Sequence, residues 1–188
     1  MNYFLVLASA LALSSVACAQ PVNLEFDSGV TGWRTVLDGV MGGRSSGRVT
    51  QPESGVLRFS GELSLENNGG FSQVQTTVAE AAFKDATGIE ARVRGDGRTY
   101  TFDVRCSDVR MMAGSFQTKF DTVAGEWKTV RLPFDQFRLH SFGRLVSNAP
   151  KLTPERVESI GVTLSDGNPG AFQLDIDFVR AIGSEGSA

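Results

Sequence analysis

Residues 172–178 read Phe-Gln-Leu-Asp-Ile-Asp-Phe, and this stretch decides the fold class. The apolar side chains Phe172, Leu174, Ile176 and Phe178 fall on every second residue, with polar side chains between them. Because the side chains of a strand point alternately to the two faces of a sheet, the pattern predicts a strand with one buried and one solvated face. Such strands are typical of antiparallel sheets that pack on one side only.

The same alternation recurs through most of the chain, and Gly- and Asn-rich breakers separate the runs. The further runs cover residues 57–65, 89–94, 100–106, 116–120, 130–132 and 160–164. Gly-Asp-Gly at 95–97 predicts a tight hairpin. Only residues 153–158 predict a short helix, with Thr153 as N-cap and proline at the first helical position. We therefore predict an all-β fold, an antiparallel β-sandwich of about nine or ten strands with one short helix.

Composition excludes several function classes. The chain has 188 residues, of which 41% are hydrophobic and 21% charged, with a net charge of −3, which indicates one soluble globular domain without a nucleic-acid footprint. His140 is the single histidine, so a His-based zinc site and a pair of catalytic histidines are both excluded. Cys106 lies in an alternating run and is expected to be a small core residue without a disulfide partner.

The N-terminal residues 1–19 predict a secretory signal, because they carry no charged side chain and their apolar run at 4–17 is too short to span a bilayer. Small residues flank Cys18, which fits cleavage before Gln20. The expected product is a single domain of residues 20–188 that is exported, periplasmic or secreted, with no transmembrane segment. A lipid anchor on Cys18 is the alternative, because the preceding residues loosely resemble a lipoprotein processing site.

Three motifs supply the candidate binding residues: Asp-Gly-Val-Met-Gly-Gly at 38–43, Glu-Asn-Asn-Gly-Gly-Phe at 66–71, and Arg-Gly-Asp-Gly-Arg-Thr-Tyr at 94–100. Paired glycines allow close backbone approach, amides and guanidiniums offer directional hydrogen bonds, and aromatic rings add apolar area. Each motif also suits an ordinary turn. The residues predicted to contact a ligand or partner are Asp38, Asn67, Asn68, Gly70, Phe71, Arg94, Asp96, Arg98 and Tyr100.

Acidic residues give a candidate calcium site. Asp175 and Asp177 would share a strand face, where like charges repel unless they face water or a cation. Together with Asp27, at the end of the first strand, Asp177 is a candidate ligand for a structural calcium ion. Solvated carboxylates on an outer face are the alternative, and no other metal or cofactor is expected.

The three motifs, in this order and spacing, resemble the complex I intermediate-associated protein family, of the thirty-kilodalton assembly-factor type. Further agreement lies at residues 125–127, 132–137, 160–166 and 170–174. The resemblance covers residues 24–182. It implies a galactose-binding-like jelly-roll sandwich and a non-catalytic, chaperone-like role in the assembly of respiratory complex I. The export signal disagrees with that role, because the resemblance implies a site of action on the matrix side.

We therefore predict a non-catalytic, exported domain that binds a protein or an assembly intermediate. A carbohydrate-binding module is the alternative, since the same architecture commonly binds sugars, and its stacking residues would be Trp33 and Trp127. A hydrolase that uses a pair of carboxylates is a third hypothesis.

Overall fold

The chain forms thirteen strands in the computed structural model, which describes residues 22–110, 112 and 114–183. The predicted signal segment and Cys18 lie outside the described residues. The strands are β1 (Asn23–Glu25), β2 (Arg34–Leu37), β3 (Ser46–Thr50), β4 (Leu57–Leu63), β5 (Ser72–Thr77), β6 (Ala86–Arg94), β7 (Thr99–Cys106), β8 (Gly114–Asp121), β9 (Trp127–Pro133), β10 (Arg138–Ser141), β11 (Arg144–Leu145), β12 (Val157–Leu164) and β13 (Gly170–Gly183).

Two antiparallel sheets pack face to face. One has six strands in the order β3-β4-β13-β6-β9, with β1 added along β13. The other has seven strands in the order β11-β10-β8-β7-β12-β5-β2. The predicted antiparallel β-sandwich is therefore confirmed, because the alternating runs supply one apolar face to each sheet and the two apolar faces bury each other.

The core lies between the two sheets. The alternating stretch at residues 172–178 contributes to it as predicted as far as Ile176, after which a β-bulge interrupts the pattern. Phe172, Leu174 and Ile176 are buried. The register of β13 against β6 shifts between Ile176 and Phe178, so that Phe178 turns half outward and Val179 enters the core in its place. A bulge of this kind adds one residue to a strand and reverses the phase of every side chain that follows.

The predicted short helix is reduced to a single 3-10 turn at Pro154–Arg156. Thr153 makes no capping hydrogen bond with its side chain, and Val157 already begins β12. Cys106 is buried in the core, as expected, and burial raises the pKa of its thiol to about 11. None of the helical segments in the described residues is long and apolar enough to cross a membrane.

Five connections meet at one end of the sandwich, which we call the loop end. The strand registers place the end of β2 beside the start of β5, and the end of β4 beside the start of β13. The start of β7 likewise lies beside the end of β8. The loop end consists of residues 38–45, 64–71, 95–98, 122–126 and 165–169. All three motifs singled out in the sequence therefore lie at the same end of the molecule.

Candidate functional site

Asp38 ties the first two motifs together. Its Oδ2 accepts hydrogen bonds from the backbone N–H of Gly70 at 2.7 Å and of Phe71 at 3.3 Å. Ser45 donates to the same carboxylate, from its backbone N–H at 3.0 Å and from its hydroxyl at 2.5 Å. A fully buried carboxylate thus fixes two loops whose sequences lie 32 residues apart.

The electrostatics of Asp38 agree with this structural role. Burial alone raises the pKa of a carboxyl group, but the hydrogen bonds from Ser45, Gly70 and Phe71 outweigh it and hold the pKa of Asp38 below its ordinary value. Asp38 is therefore an anion at neutral pH, and its hydrogen bonds position the loops around it.

Two glycines are needed because the loops pass so close to that carboxylate. A Cβ added at Gly43 would lie 2.4 Å from the Asp38 Cγ, and one added at Gly69 would lie 2.7 Å from its Oδ2. Neither distance is compatible with a side chain unless the Asp38 side chain or the backbone moves. The Gly-Gly pairs noticed in the sequence therefore serve close approach to one buried group.

Apolar and amide side chains on the outside of these two loops form what we call the apical patch: Val40, Met41, Leu65, Asn67, Asn68 and Phe71. Val40 is 84% exposed and Met41 53%, although both sit beside the fully buried Asp38. Leu65 is 46% exposed, and Phe71 is half-buried.

Asn67 and Asn68 adopt left-handed backbone conformations at φ 54° and 59°, which asparagine tolerates better than most residues. Their exposed amides make no hydrogen bond within the described residues. The patch thus offers apolar area beside amides that are free to bond in defined directions. Val40, Met41 and Leu65 were not predicted as binding residues from the sequence, although the first two lie inside the first motif.

The third motif is used mainly inside the molecule. Asp96 accepts hydrogen bonds from the Tyr100 hydroxyl at 3.1 Å and from the Gln173 backbone N–H at 2.9 Å, so it joins the hairpin to β13. Tyr100 is fully buried, and its burial beside Asp96 raises the pKa of its hydroxyl. This corrects the prediction that Tyr100 contacts a partner, because its ring belongs to the core.

Arg98 is likewise held by its own chain. Its guanidinium donates to both carboxylate oxygens of Asp166, at 2.6 and 3.0 Å, and to backbone carbonyls that include that of Asn168. The hydrogen bonds from Arg98 lower the pKa of Asp166 despite its partial burial. Arg98 therefore fixes the 165–169 loop and has little donor capacity left for a partner.

Arg94 belongs to a ladder of charges on the outer face of the six-stranded sheet. It donates to Asp175 at 2.8 Å, and Arg58 donates to the same carboxylate at 2.7 Å. The Asp175 carboxylate is fully buried, and the bonds from the two arginines lower its pKa against the effect of burial. The Arg94 guanidinium also lies 4.7 Å from the ring centroid of Trp127.

The surroundings of the two candidate calcium ligands differ from those of a metal site. Asp177 forms an ion pair with Arg92 at 2.6 Å, while Asp27 is exposed. In the described ranges, no three His, Cys, Asp or Glu side chains are grouped so that they could hold a metal ion. Asp175 is separated from solvent by its two arginines, so the repulsion expected between the two aspartates is relieved by cations of the protein itself.

Residues 43–47 spell Gly-Arg-Ser-Ser-Gly, which has the spacing of a Gly-x-Ser-x-Gly nucleophile elbow. The structure gives Ser45 a different role. Its buried hydroxyl donates to Asp38 and accepts from the Ser64 backbone N–H at 3.0 Å, and the segment leads into β3 rather than into a helix. The lone His140 lies on β10 of the other sheet. Ser45 is therefore part of the loop scaffold.

A second polar surface covers the outer face of the seven-stranded sheet, which we call the polar face. At its centre Asp103 is only 3% exposed and accepts from Gln117 at 2.8 Å, Ser115 at 3.1 Å and Thr163 at 2.5 Å. Burial raises the pKa of Asp103 beyond what these hydrogen bonds offset. This network was not predicted from the sequence. Its members come from β7, β8 and β12, and only the folded sheet brings these strands together.

Two clefts open on the polar face, one at each end. The cleft near the loop end measures about 540 Å³, and its lining includes Thr99, Thr101, Lys119, Asp166 and Asn168. The cleft at the opposite end measures about 370 Å³. The strand positions that point outward over β5, β7, β8 and β12 carry no aromatic side chain, because the aromatic residues of these strands point into the core.

The fold is similar to that of solved sugar-binding modules. A family 11 carbohydrate-binding module from Clostridium thermocellum, in complex with a β-1,3-1,4-mixed-linked tetrasaccharide, gives a TM-score of 0.65 at 15% identity, covering 86% of this chain and 96% of that one. A family 30 carbohydrate-binding module gives a TM-score of 0.55 at 14% identity, over 85% and 99% of the two chains. These likenesses confirm the predicted jelly-roll sandwich.

Two animal proteins are among the curated relatives. "Complex I intermediate-associated protein 30, mitochondrial" of Mus musculus is 27% identical over 168 residues, covering 78% of this chain and 51% of the relative. The Drosophila melanogaster protein of the same name is 25% identical over 174 residues, covering 78% and 57%. The chain thus spans about half the length of these relatives.

These relatives correct one prediction. They are mitochondrial proteins, not periplasmic or secreted ones, so the predicted export, with its lipid-anchored alternative at Cys18, is wrong.

The match to the family covers most of the sandwich and includes all three motifs. The family model described as Complex I intermediate-associated protein 30 matches residues 22–176, from the segment before β1 to the middle of β13. The resemblance inferred from the motifs is therefore confirmed, and the chain belongs to the complex I intermediate-associated protein 30 family.

Proposed function

We propose that this chain is a non-catalytic protein-binding domain whose apical patch holds an assembly intermediate of the respiratory complex I type. The observation that carries the proposal is the pairing of the buried Asp38 with the exposed Val40 and Met41. Rigid loops that present apolar side chains to water favour association, because little conformational entropy is lost when a partner covers them. Family membership supports a protein as the partner.

The patch has the composition of a small interface centre. Apolar side chains lie beside amide groups that give directional hydrogen bonds, and interface cores combine these two features. Two acids at the loop end are each held by donors, the buried Asp38 by loop amides and the partly buried Asp166 by Arg98. This arrangement suits fixed anions that maintain loop shape, and it supports a binding role over an acid–base one.

The test is affinity capture of complex I subunits from the respiratory membranes of the cells in which the chain occurs, with crosslinking to preserve weak complexes. We expect the Val40→Ser/Met41→Ser double variant to lose about tenfold or more of the capture, because each side chain would give up about 1 kcal/mol or more at an interface centre. Leu145→Ser is the matched control, since Leu145 is 63% exposed on β11, away from the loop end. Equal capture by all three proteins would refute the assignment of the patch.

A carbohydrate ligand is the second candidate, and the cleft of about 540 Å³ on the polar face favours it. Hydroxyl, amide, carboxylate and ammonium groups line that cleft, and the solved neighbours include modules that bind sugars. Trp33 and Trp127, the stacking residues expected from the sequence, do not line that cleft. Trp33 packs edge-on against Phe26, with ring centroids 5.9 Å apart, and Trp127 lies on the other sheet beneath two arginines.

A glycan array with the wild-type chain and a Thr101→Arg variant, which fills the cleft, distinguishes the two candidates. Binding of a neutral oligosaccharide that the variant loses would favour the sugar-binding alternative. Absence of any glycan signal, together with capture of complex I subunits, is the result that we expect.

A further inference from the structure

The cleft of about 370 Å³ on the polar face lies far from the apical patch and takes no part in the function proposed above. Its lining residues are Arg34, Gln75, Thr77, Arg105, Glu158 and Ser159. They come from four neighbouring strands in the order β2-β5-β12-β7, at the end of the sheet opposite the loop end. A cleft of this size falls within the range of small-molecule sites.

The strand registers place the two arginines on opposite sides of the cleft. Arg34 pairs with Gln75 on the next strand, while Ser159 pairs with both Thr77 and Arg105. Across the sheet, the backbones of the two arginines are three strand spacings, or about 14 Å, apart, and Arg105 lies two residues further along its strand. Both are long side chains that line the same cleft, so their guanidinium groups approach it from either side.

Hydrogen-bond donors in this cleft outnumber the acceptors available to them. With its amide oxygen turned toward Arg34, Gln75 accepts from the Nη2 and Nε atoms at 3.0 and 3.2 Å, which fixes one edge of that guanidinium and leaves the other edge open. Arg105 is half-buried and forms no hydrogen bond or ion pair with any group in the described ranges. Ser159 is buried, and its hydroxyl has no partner there either.

Few negative charges oppose these donors. Glu158 is the one acidic residue that lines the cleft, and its side chain is exposed at the rim. Asp103, on the strand next to β12, is already bonded to three neighbouring side chains. The two guanidiniums therefore leave a net positive charge in the cleft, although the chain as a whole carries −3.

We propose that this cleft binds the phosphate group of a small, soluble phosphate ester. Guanidinium groups bind oxyanions through paired, charge-assisted hydrogen bonds. A carboxylate has two oxygens and matches one guanidinium fork, whereas a phosphate monoester has three acceptor oxygens and close to two negative charges. It can therefore bridge two arginines and still accept from the Ser159 or Thr77 hydroxyl.

The surroundings of the cleft suit a hydroxylated body on the ester. Beyond Ser159 the next outward position on β12 is Gly161, which places no side chain over the sheet. On β5 the Gln75 side chain lies beside Gly161, and its amide N–H₂ can donate a hydrogen bond to a hydroxyl group. This part of the polar face offers no exposed aromatic ring, so recognition there depends on charge and hydrogen bonds.

Amide chemical-shift mapping on the isotope-labelled full chain tests the proposal, with glucose 6-phosphate, glucose and inorganic phosphate as probes. We expect glucose 6-phosphate to shift the signals of Gln75, Arg105 and Ser159 in a saturable manner. Inorganic phosphate should shift the same signals, since it carries the recognised group. Glucose binding equally well, or shifts that do not cluster at these residues, would overturn the proposal.

A pair of variants separates the cleft from general charge effects. Arg105→Gln should weaken glucose 6-phosphate at least tenfold, because it removes a fork of charge-assisted bonds. Arg48→Gln, an exposed arginine on β3 of the other sheet, should leave the affinity unchanged. Should Arg105→Gln fail to fold, Arg105→Lys keeps the charge without the fork and should also weaken binding. Equal affinity in the folded variants, or binding only to phosphatidic-acid vesicles and not to the soluble ester, contradicts the proposal.

Discussion

Replacing Asp38 with asparagine tests whether the hydrogen bonds to its carboxylate hold the loops at the loop end in place. The side chain keeps its size, so the change removes one charge and exchanges one acceptor oxygen for an N–H₂ donor. In the native protein the two oxygens together accept four hydrogen bonds, from Ser45, Gly70 and Phe71. An amide can satisfy only part of this set, whichever way it is turned.

The magnitude follows from the bonds that are lost. If the amide oxygen faces Gly70 and Phe71, the amide nitrogen confronts the Ser45 N–H, and one buried donor is left unsatisfied. In the opposite orientation two buried backbone donors are left unsatisfied. Each unsatisfied buried donor costs about 1–3 kcal/mol, and the bonds that remain lose the strength that the charge gives them. We therefore expect Asp38→Asn to lower the free energy of unfolding by about 2–4 kcal/mol at pH 7.

Urea denaturation measures the change, provided that the m-value is the same for both proteins. The matched control is Asp108→Asn, in the exposed turn after β7. Its free energy of unfolding should lie within about 0.5 kcal/mol of wild type. The pKa of Asp38 is lowered by folding, so its stabilising contribution is present above the ordinary value of 3.8 and is lost as the pH falls through the folded pKa. The difference between wild type and Asp38→Asn should therefore shrink in strongly acidic solution. A variant as stable as the control, or a difference independent of pH, would refute this account of the loop end.

Two further substitutions test the scaffold. Asp175→Asn should lower the free energy of unfolding by about 2 kcal/mol, because two half-buried arginines lose the charge of Asp175. Chemical denaturation at low and high salt measures this loss. A loss below about 0.5 kcal/mol would contradict the prediction. Gly43→Ala should destabilise by more than about 1 kcal/mol, since its new Cβ meets the Asp38 carboxyl group, whereas Gly39→Ala, with open space around the new Cβ, should be neutral. Equal melting temperatures for the two alanine variants would exclude the close approach.

The alternation of side chains was sufficient to predict the sandwich, because it depends on local geometry that every strand shares. It failed at Phe178, where one extra residue in β13 reverses the phase and nothing in the local sequence marks the bulge. The predicted helix at 153–158 failed because proline and first-turn acid signals also fit a single 3-10 turn, and the β-branched Val157 is paired with β7.

The candidate site was predicted in part. Turn chemistry identified the loop that carries Asn67 and Asn68. Its position beside Asp38 could not be predicted, because that contact depends on the fold. Tyr100 illustrates the converse. Its alternation with Phe102 already indicated an inward side chain, and that signal outweighs its place in a motif. The cleft of about 370 Å³ was not predicted from the sequence. Arg34 and Arg105 lie on strands far apart in the chain, and only the sheet order brings them to one surface.

Site-specific photocrosslinking tests the central claim, that the apical patch is a protein-binding surface, most directly. A photoreactive amino acid at Met41 should crosslink to complex I subunits or their assembly intermediates in living cells, and the same group at Lys84, exposed at the opposite end of the sandwich, should not. Identical crosslinking partners from both positions, or none from Met41, would contradict the account.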